Sequence, residues 1–138
     1  MDYDEHDLTV LVAESDEDTR YLLKSVLELK GFFVLEASDG QQAIDTTLHK
    51  RPDLLLIQTR LPVVSGFTAV RQIRKHTGLQ GMPIVAMSVH NSTTNHNLAL
   101  AAGCNAYVQD PLEFDRLEAL LDRLLPGNRV PLASVLIQ

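Results

Sequence analysis

The sequence predicts an α/β domain, a parallel sheet with helices on both faces, from three observations. Apolar runs of strand length alternate with longer stretches of helical period. Five such strand–helix units fit within about 125 residues, and every parallel crossover needs a helix. One run, Leu54 to Ile57, is continuously apolar, as in a strand buried on both faces of a parallel sheet.

The elements follow in order. "LTVLVA" (8–13) reads as a strand, followed by an acidic turn, "ESDED". A helix is expected over about 17–30, with Leu22, Leu23, Val26, Leu27 and Leu29 as its apolar stripe. Gly31 ends it in a left-handed turn. "FFVLEA" (32–37) is the second strand, and Ser38 or Asp39 caps a helix over about 41–50. Pro52 precedes the third strand, 54–58, and Pro62 and Gly66 precede a helix over about 67–76. "MPIVAMS" (82–88) is the fourth strand, and a polar loop, "VHNSTTNHN", leads into a helix over about 93–102 that ends at Gly103. "AYVQ" (106–109) is a short fifth strand. "DPLEFDRLEALLDRLL" gives the last helix, with Leu117, Leu120, Leu121, Leu124 and Leu125 on one face.

The organisation read from this is an acidic extension (1–7), one domain (8–125) and a tail (126–138). The tail, with its apolar "LASVLIQ", is expected to be disordered or packed on its own domain. The sharper reading is a strand added to a partner's sheet edge or a tail exchanged between protomers. A net charge of −6 argues against nucleic acid, since phosphate binding needs a basic surface. No apolar run approaches the roughly 20 residues that span a bilayer. The acidic start, "MDYDEHD", is wrong for a secretory signal, and a single cysteine fits a reducing cytosol, so a cytoplasmic domain is expected. Cys104 lies in the small-residue run "AAGCNA", where packing outweighs reactivity.

Taken in order, "VLVAESDEDTR", "EASDGQQA", "RPDLLLIQTRLPVVSGF", "PIVAMS" and "ALAAGCNAYVQDP" resemble the receiver domain of bacterial two-component response regulators. The likeness covers about 8–125. It implies a flavodoxin-like (βα)5 fold with strand order 2-1-3-4-5. It also implies chemistry: a phosphoryl group taken from a histidine kinase by an aspartate ending the third strand, with Mg²⁺ held by acidic residues after the first. A Ser/Thr and a Lys then sense the phosphate. An anionic nucleophile, hard oxygen ligands and a cation for the product's charge are the physical needs.

Most of those positions are altered here. Gln58 stands at the acceptor position, and an amide cannot form an acyl phosphate by that route. Glu14 keeps the first acidic position, Ser15 replaces the second, and Ser88 keeps the hydroxyl. Asp110, before Pro111, stands in place of the lysine and reverses its charge. Scaffold positions Pro62, Gly66, Pro83, Gly103, Tyr107 and Pro111 match. The pattern is that of a degenerate, or pseudo-, receiver, in which Mg²⁺ binding is expected to be weak or absent and no cofactor is implied.

Other side chains carry weaker expectations. Arg60, in the loop after the third strand, either pairs with Glu14 or Asp110 or points to solvent. Asp16 and Asp18 are favourable charges at a helix start before they are metal ligands. His90 and His96 read as part of a solvated loop. Three functions are compatible with these residues. The favoured one is a non-enzymatic, phosphorylation-independent module that binds an unidentified protein partner. It would use the fourth helix, fifth strand and fifth helix, with Tyr107 fixed in one rotamer, and a homodimer through that face or the tail is included. The second is a small-molecule or ion sensor using the altered pocket. The third is a residual phosphoryl acceptor at Asp16 or Asp53, though Asp53 precedes the third strand and is expected at the wrong end of the sheet.

Overall fold

A computed structural model of the chain describes residues 7–88, 93–109 and 113–127. Its elements alternate along the chain as β1 (Thr9–Ala13), α1 (Glu17–Leu29), β2 (Phe33–Ala37), α2 (Gly40–Lys50) and β3 (Leu54–Gln58). The second half continues with α3 (Gly66–Arg74), β4 (Ile84–Met87), α4 (Thr93–Ala102), β5 (Ala106–Val108) and α5 (Phe114–Leu124). All neighbouring strands are parallel, in the order β2-β1-β3-β4-β5. This is the flavodoxin-like arrangement.

Alternation along each strand divides the core into two layers. Leu11, Leu55, Ile57 and Ile84 face α2, α3 and α4, meeting Ile44, Val70, Ile73 and Ala99. Val10, Val12, Leu54, Leu56 and Val85 face α1 and α5, meeting Leu23, Leu27, Leu117 and Leu121. Because β3 lies between β1 and β4 with helices on both sides, all five of its residues are buried. That explains its unbroken apolar run.

Local signals set the helix ends. Asp16 caps α1 through Thr19 N–H, Asp39 caps α2 through Gln42 N–H, and Ser65 caps α3 through Thr68 N–H. Gly31 leaves α1 at φ +100°, in the left-handed region its lack of a Cβ permits. The helix α3 and the strand β4 are shorter than their apolar patterns suggest.

The α1 stripe also needs correction. Leu22 and Leu29 are 41% and 57% exposed, while Leu23, Val26 and Leu27 are buried. The fourth position of the buried face belongs to Lys30, whose Nζ meets Glu118 Oε2 of α5 at 2.5 Å. Arg20 and Lys24 reach Glu36 of β2 on the other flank of α1. Leu23, Val26 and Leu27 thus fix the buried side of this helix, and the three cationic side chains flank it.

Among the described residues no helix is long and apolar enough to cross a membrane. One core defect is open to a direct check. Thr47 of α2 is fully buried, and its Oγ1 has no hydrogen-bond partner among the described residues. Thr47→Val keeps the shape and removes the unsatisfied hydroxyl, so it is expected to stabilise the fold by about 1 kcal/mol in urea denaturation. A loss of stability would mean that the hydroxyl is satisfied in solution.

Candidate functional site

Parallel strands bring their carboxyl ends to one edge of the sheet, and the residues that follow them converge there. The pairings Ala13 with Ile57, Gln58 with Met87 and Met87 with Val108 fix their relative heights. Glu14, Gln58, Thr59 and Ser88 are the buried polar residues at this end. Their backbones are tied across the sheet: Glu14 N–H donates to Ala37 O at 3.0 Å, Thr59 N–H to Met87 O at 2.9 Å and Ser88 N–H to Val108 O at 3.0 Å.

The side chains close on one another. Gln58 Nε2 donates to Glu14 Oε1 at 3.2 Å, and Gln58 Oε1 accepts from Thr59 N–H at 3.0 Å. The other Glu14 oxygen, Oε2, accepts from Asp16 N–H at 3.0 Å. Both ends of the Gln58 amide and both oxygens of Glu14 therefore have partners. Glu14 is only 4% exposed, so its carboxylate is a buried charge held by hydrogen bonds. The Glu14–Gln58 contact joins residues 44 apart in the chain, which no local sequence signal reveals.

The other candidates fall into place around this pair. Ser15 is exposed, and Ser88 is buried. Asp16 accepts from Thr19 Oγ1 at 2.6 Å and Thr19 N–H at 2.9 Å. Those two bonds hold its carboxyl below the ordinary aspartate value, a capping role. Arg60 is exposed, and the oxygens of Glu14 are taken by Gln58 and the Asp16 amide instead. Asp110 and Pro111, the segment 1–6, His90 and the tail from 128 on lie outside the described residues. Asp53 accepts from Thr9 N–H at 2.7 Å, at the opposite end of the sheet from Gln58. Among the described residues no group of three or more His, Cys, Asp or Glu side chains could hold a metal ion.

A tight loop, residues 59–65, follows Gln58. Gly66 N–H donates to Thr59 O at 3.0 Å, and a Cβ on Gly66 would lie 2.2 Å from Gln58 O, so only glycine fits. Within the loop Val63 sits at φ +70°, strained for a β-branched residue, with its side chain 79% exposed.

Tyr107 lies inward, only 5% exposed, in the core layer shared with α4. His96 belongs to α4 and not to a loop, and its ring centroid is 5.3 Å from that of Tyr107. Ser88 N–H bonds Val108 O toward β4, so the Tyr107 carbonyl faces the outer edge, where it accepts from Arg116 Nη2 at 3.2 Å. A three-residue edge strand with that carbonyl engaged is a poor template for strand addition.

Sequence reasoning missed Arg74, whose guanidinium donates to the carbonyls of Leu79, Met82 and Gly103 and to Asn105 Oδ1. Burial lowers its pKa from the ordinary arginine value. Cys104, beside it, is buried, and burial pushes its thiol up to about 12, which leaves it an unreactive packing residue.

Comparison with known proteins agrees with the fold. The model of the response regulator receiver domain matches residues 10–122. The transcriptional regulatory protein YxdJ of Bacillus subtilis is 30% identical over 106 residues, which are 77% of this chain and 45% of that protein. The chain thus spans about half the length of this curated relative. Among solved structures, the receiver domain of sensor histidine kinase PA1611 from Pseudomonas aeruginosa has a TM-score of 0.80 at 28% identity, covering 86% of this chain and 97% of that one. That structure has a magnesium ion coordinated in its active-site cleft. The receiver domain of Ssk1 from Saccharomyces cerevisiae, co-crystallised with the histidine phosphotransfer protein Ypd1, gives 0.79 at 26% identity, covering 86% and 88%. With its fold, its strand order and the span of the family match in agreement, the chain belongs to the response regulator receiver domain family.

Proposed function

We propose that this receiver domain signals through protein contacts without being phosphorylated. The observation that carries the reading is the hydrogen bond from Gln58 Nε2 to Glu14 Oε1 at 3.2 Å. Gln58 ends β3, where the receiver pattern has its acceptor aspartate. An amide at that place offers no anionic oxygen to attack a phosphoryl group. The same amide satisfies the buried Glu14 carboxylate by donating to it, a job that a cation would otherwise do.

The donor set fits a divalent ion poorly. Mg²⁺ demands near-octahedral hard oxygen ligands. Here Glu14 already accepts two hydrogen bonds, Ser15 is turned to solvent and Asp16 is committed to capping α1. Asp53, the other carboxylate weighed as an acceptor, is bound to Thr9 N–H at the far end of the sheet. With its switch chemistry replaced, the domain holds Tyr107 inward as packing and keeps the surface of α4, β5 and α5 as its means of meeting a partner protein.

The test is to add Mg²⁺ and acetyl phosphate and follow intact mass and nitrogen–proton NMR spectra together. The expected result is no phosphoryl adduct and unchanged resonances for Gln58, Ser88 and Tyr107. An adduct, or shifts spreading from Gln58 to α4 and β5, would overturn the reading. Shifts with Mg²⁺ alone would favour an ion-sensing pocket.

A further inference from the structure

Beyond β5 at the edge of the sheet, a groove of about 400 Å³ runs between α4 and α5. Arg116 and Arg123 of α5 and His96 of α4 line it, over an apolar floor that includes Leu100, Tyr107 and Leu120. No carboxylate is among the described lining residues. The chain as a whole has 18 acidic residues against 12 Lys and Arg, so a groove whose charged described lining residues are two arginines contrasts with that balance. Arg116 and Arg123 are two helical turns apart, about 10 Å along one side of α5. The bond from Arg116 to the Tyr107 carbonyl anchors the first of them over the edge of β5.

An occupant of opposite charge is present in the same chain. The segment "MDYDEH" carries Asp2, Asp4 and Glu5, with Tyr3 able to meet the apolar floor. It precedes β1, three strand spacings from β5. Crossing those strands takes about 14 Å and reaching the groove takes several more, while six extended residues span only about 20 Å. Only the tip could enter the groove of its own molecule. A second copy has no such limit, and two-fold pairing would make the contact twice.

We propose that the groove between α4 and α5 receives the acidic segment 1–6 of a second copy of this chain, giving a dimer with exchanged arms. The inference rests on the reading of this face as the contact surface and names what it contacts. The test is sedimentation velocity on the full chain at low salt across a range of concentrations. Three variants accompany it: Asp2→Lys with Asp4→Lys, Arg123→Glu, and all three substitutions together. Arg123 is exposed, so its reversal leaves the core untouched.

The expected result is a dimer whose dissociation constant rises by about tenfold or more with either charge reversal and recovers when both are combined. A monomer at every concentration would overturn the proposal, and so would a dimer indifferent to the reversals. A monomer whose groove resonances move when residues 1–6 are removed would place the arm in its own groove, and would also overturn it. Failure here, with acetyl phosphate still leaving the protein unmodified, removes the docking alone. Phosphorylation with the arm-dependent dimer intact removes only the phosphorylation-independent reading.

Discussion

Gly40→Ala is expected to destabilise the domain by about 3 kcal/mol or more, although alanine is the better helix former by about 1 kcal/mol. The reason lies in the loop after β3. Gly40 opens α2, and its N–H donates to Pro62 O at 3.1 Å. A Cβ there would lie 1.7 Å from the carbonyl oxygen of Val64 and 2.6 Å from its carbonyl carbon. These are backbone atoms, so no side-chain rotation relieves the clash. The loop cannot simply lift away, because Gly66 anchors its far end against Gln58 and Thr59. Urea denaturation gives the magnitude, and amide exchange in residues 59–66 gives the location. Stability unchanged or raised would show that the loop is free to shift, and that the pocket beneath it is looser than its hydrogen bonds imply.

Arg74→Ala should cost a similar amount, about 3 kcal/mol, for a different reason. Its guanidinium ties the end of α3 to two other turns. It donates to Leu79 O at 2.8 Å and Met82 O at 2.6 Å before β4, and to Gly103 O at 2.8 and 3.0 Å before β5. Its remaining bond, at 2.9 Å, steadies Asn105 Oδ1, which in turn accepts from Ile84 N–H at 2.8 Å. Removing the guanidinium leaves these carbonyls short of donors where solvent reaches only in part. Arg74→Lys should recover less than half of the loss, since an ammonium lacks the planar fork. Full recovery by lysine would mean that charge alone matters there. Amide exchange should rise first in residues 99–108, because the turn entering β5 loses its fastening.

Much of the fold could be read in the chain, and the reason is periodicity. Strands two residues in period and helices near 3.6 leave different marks, and β3, buried on both sides, reads as plainly as any element. What periodicity cannot supply is the side of a helix that wins. The leucine-rich α1 offers a stripe wide enough to include Leu22 and Leu29, and the buried side proves to be Leu23, Val26 and Leu27, flanked by Lys30, Arg20 and Lys24, whose partners lie elsewhere in sequence. The candidate site was half legible. That Gln58 ends β3 followed from the strand, and that Glu14 follows β1 from its own. Their mutual hydrogen bond did not, because it depends on the side-by-side placement of β1 and β3, and on an amide long enough to reach. Arg74 was invisible for a related cause. With Arg71 beside it in the last turn of α3, Arg74 reads as an ordinary helix-dipole residue, and nothing in its spacing announces three carbonyls waiting for it.

The Lys30–Glu118 pair has a consequence for the history of each molecule. It joins residues 88 positions apart, the first helix to the last. During synthesis Lys30 emerges long before Glu118, and until α5 arrives the apolar face of α1 and β1 lies open. Native closure of that layer must await the final helix, so the nascent chain spends most of its elongation time as an incomplete sheet, sticky on one side. A ribosome-stalled chain ending before Glu118 should therefore hold chaperones far longer than one extended past Leu125.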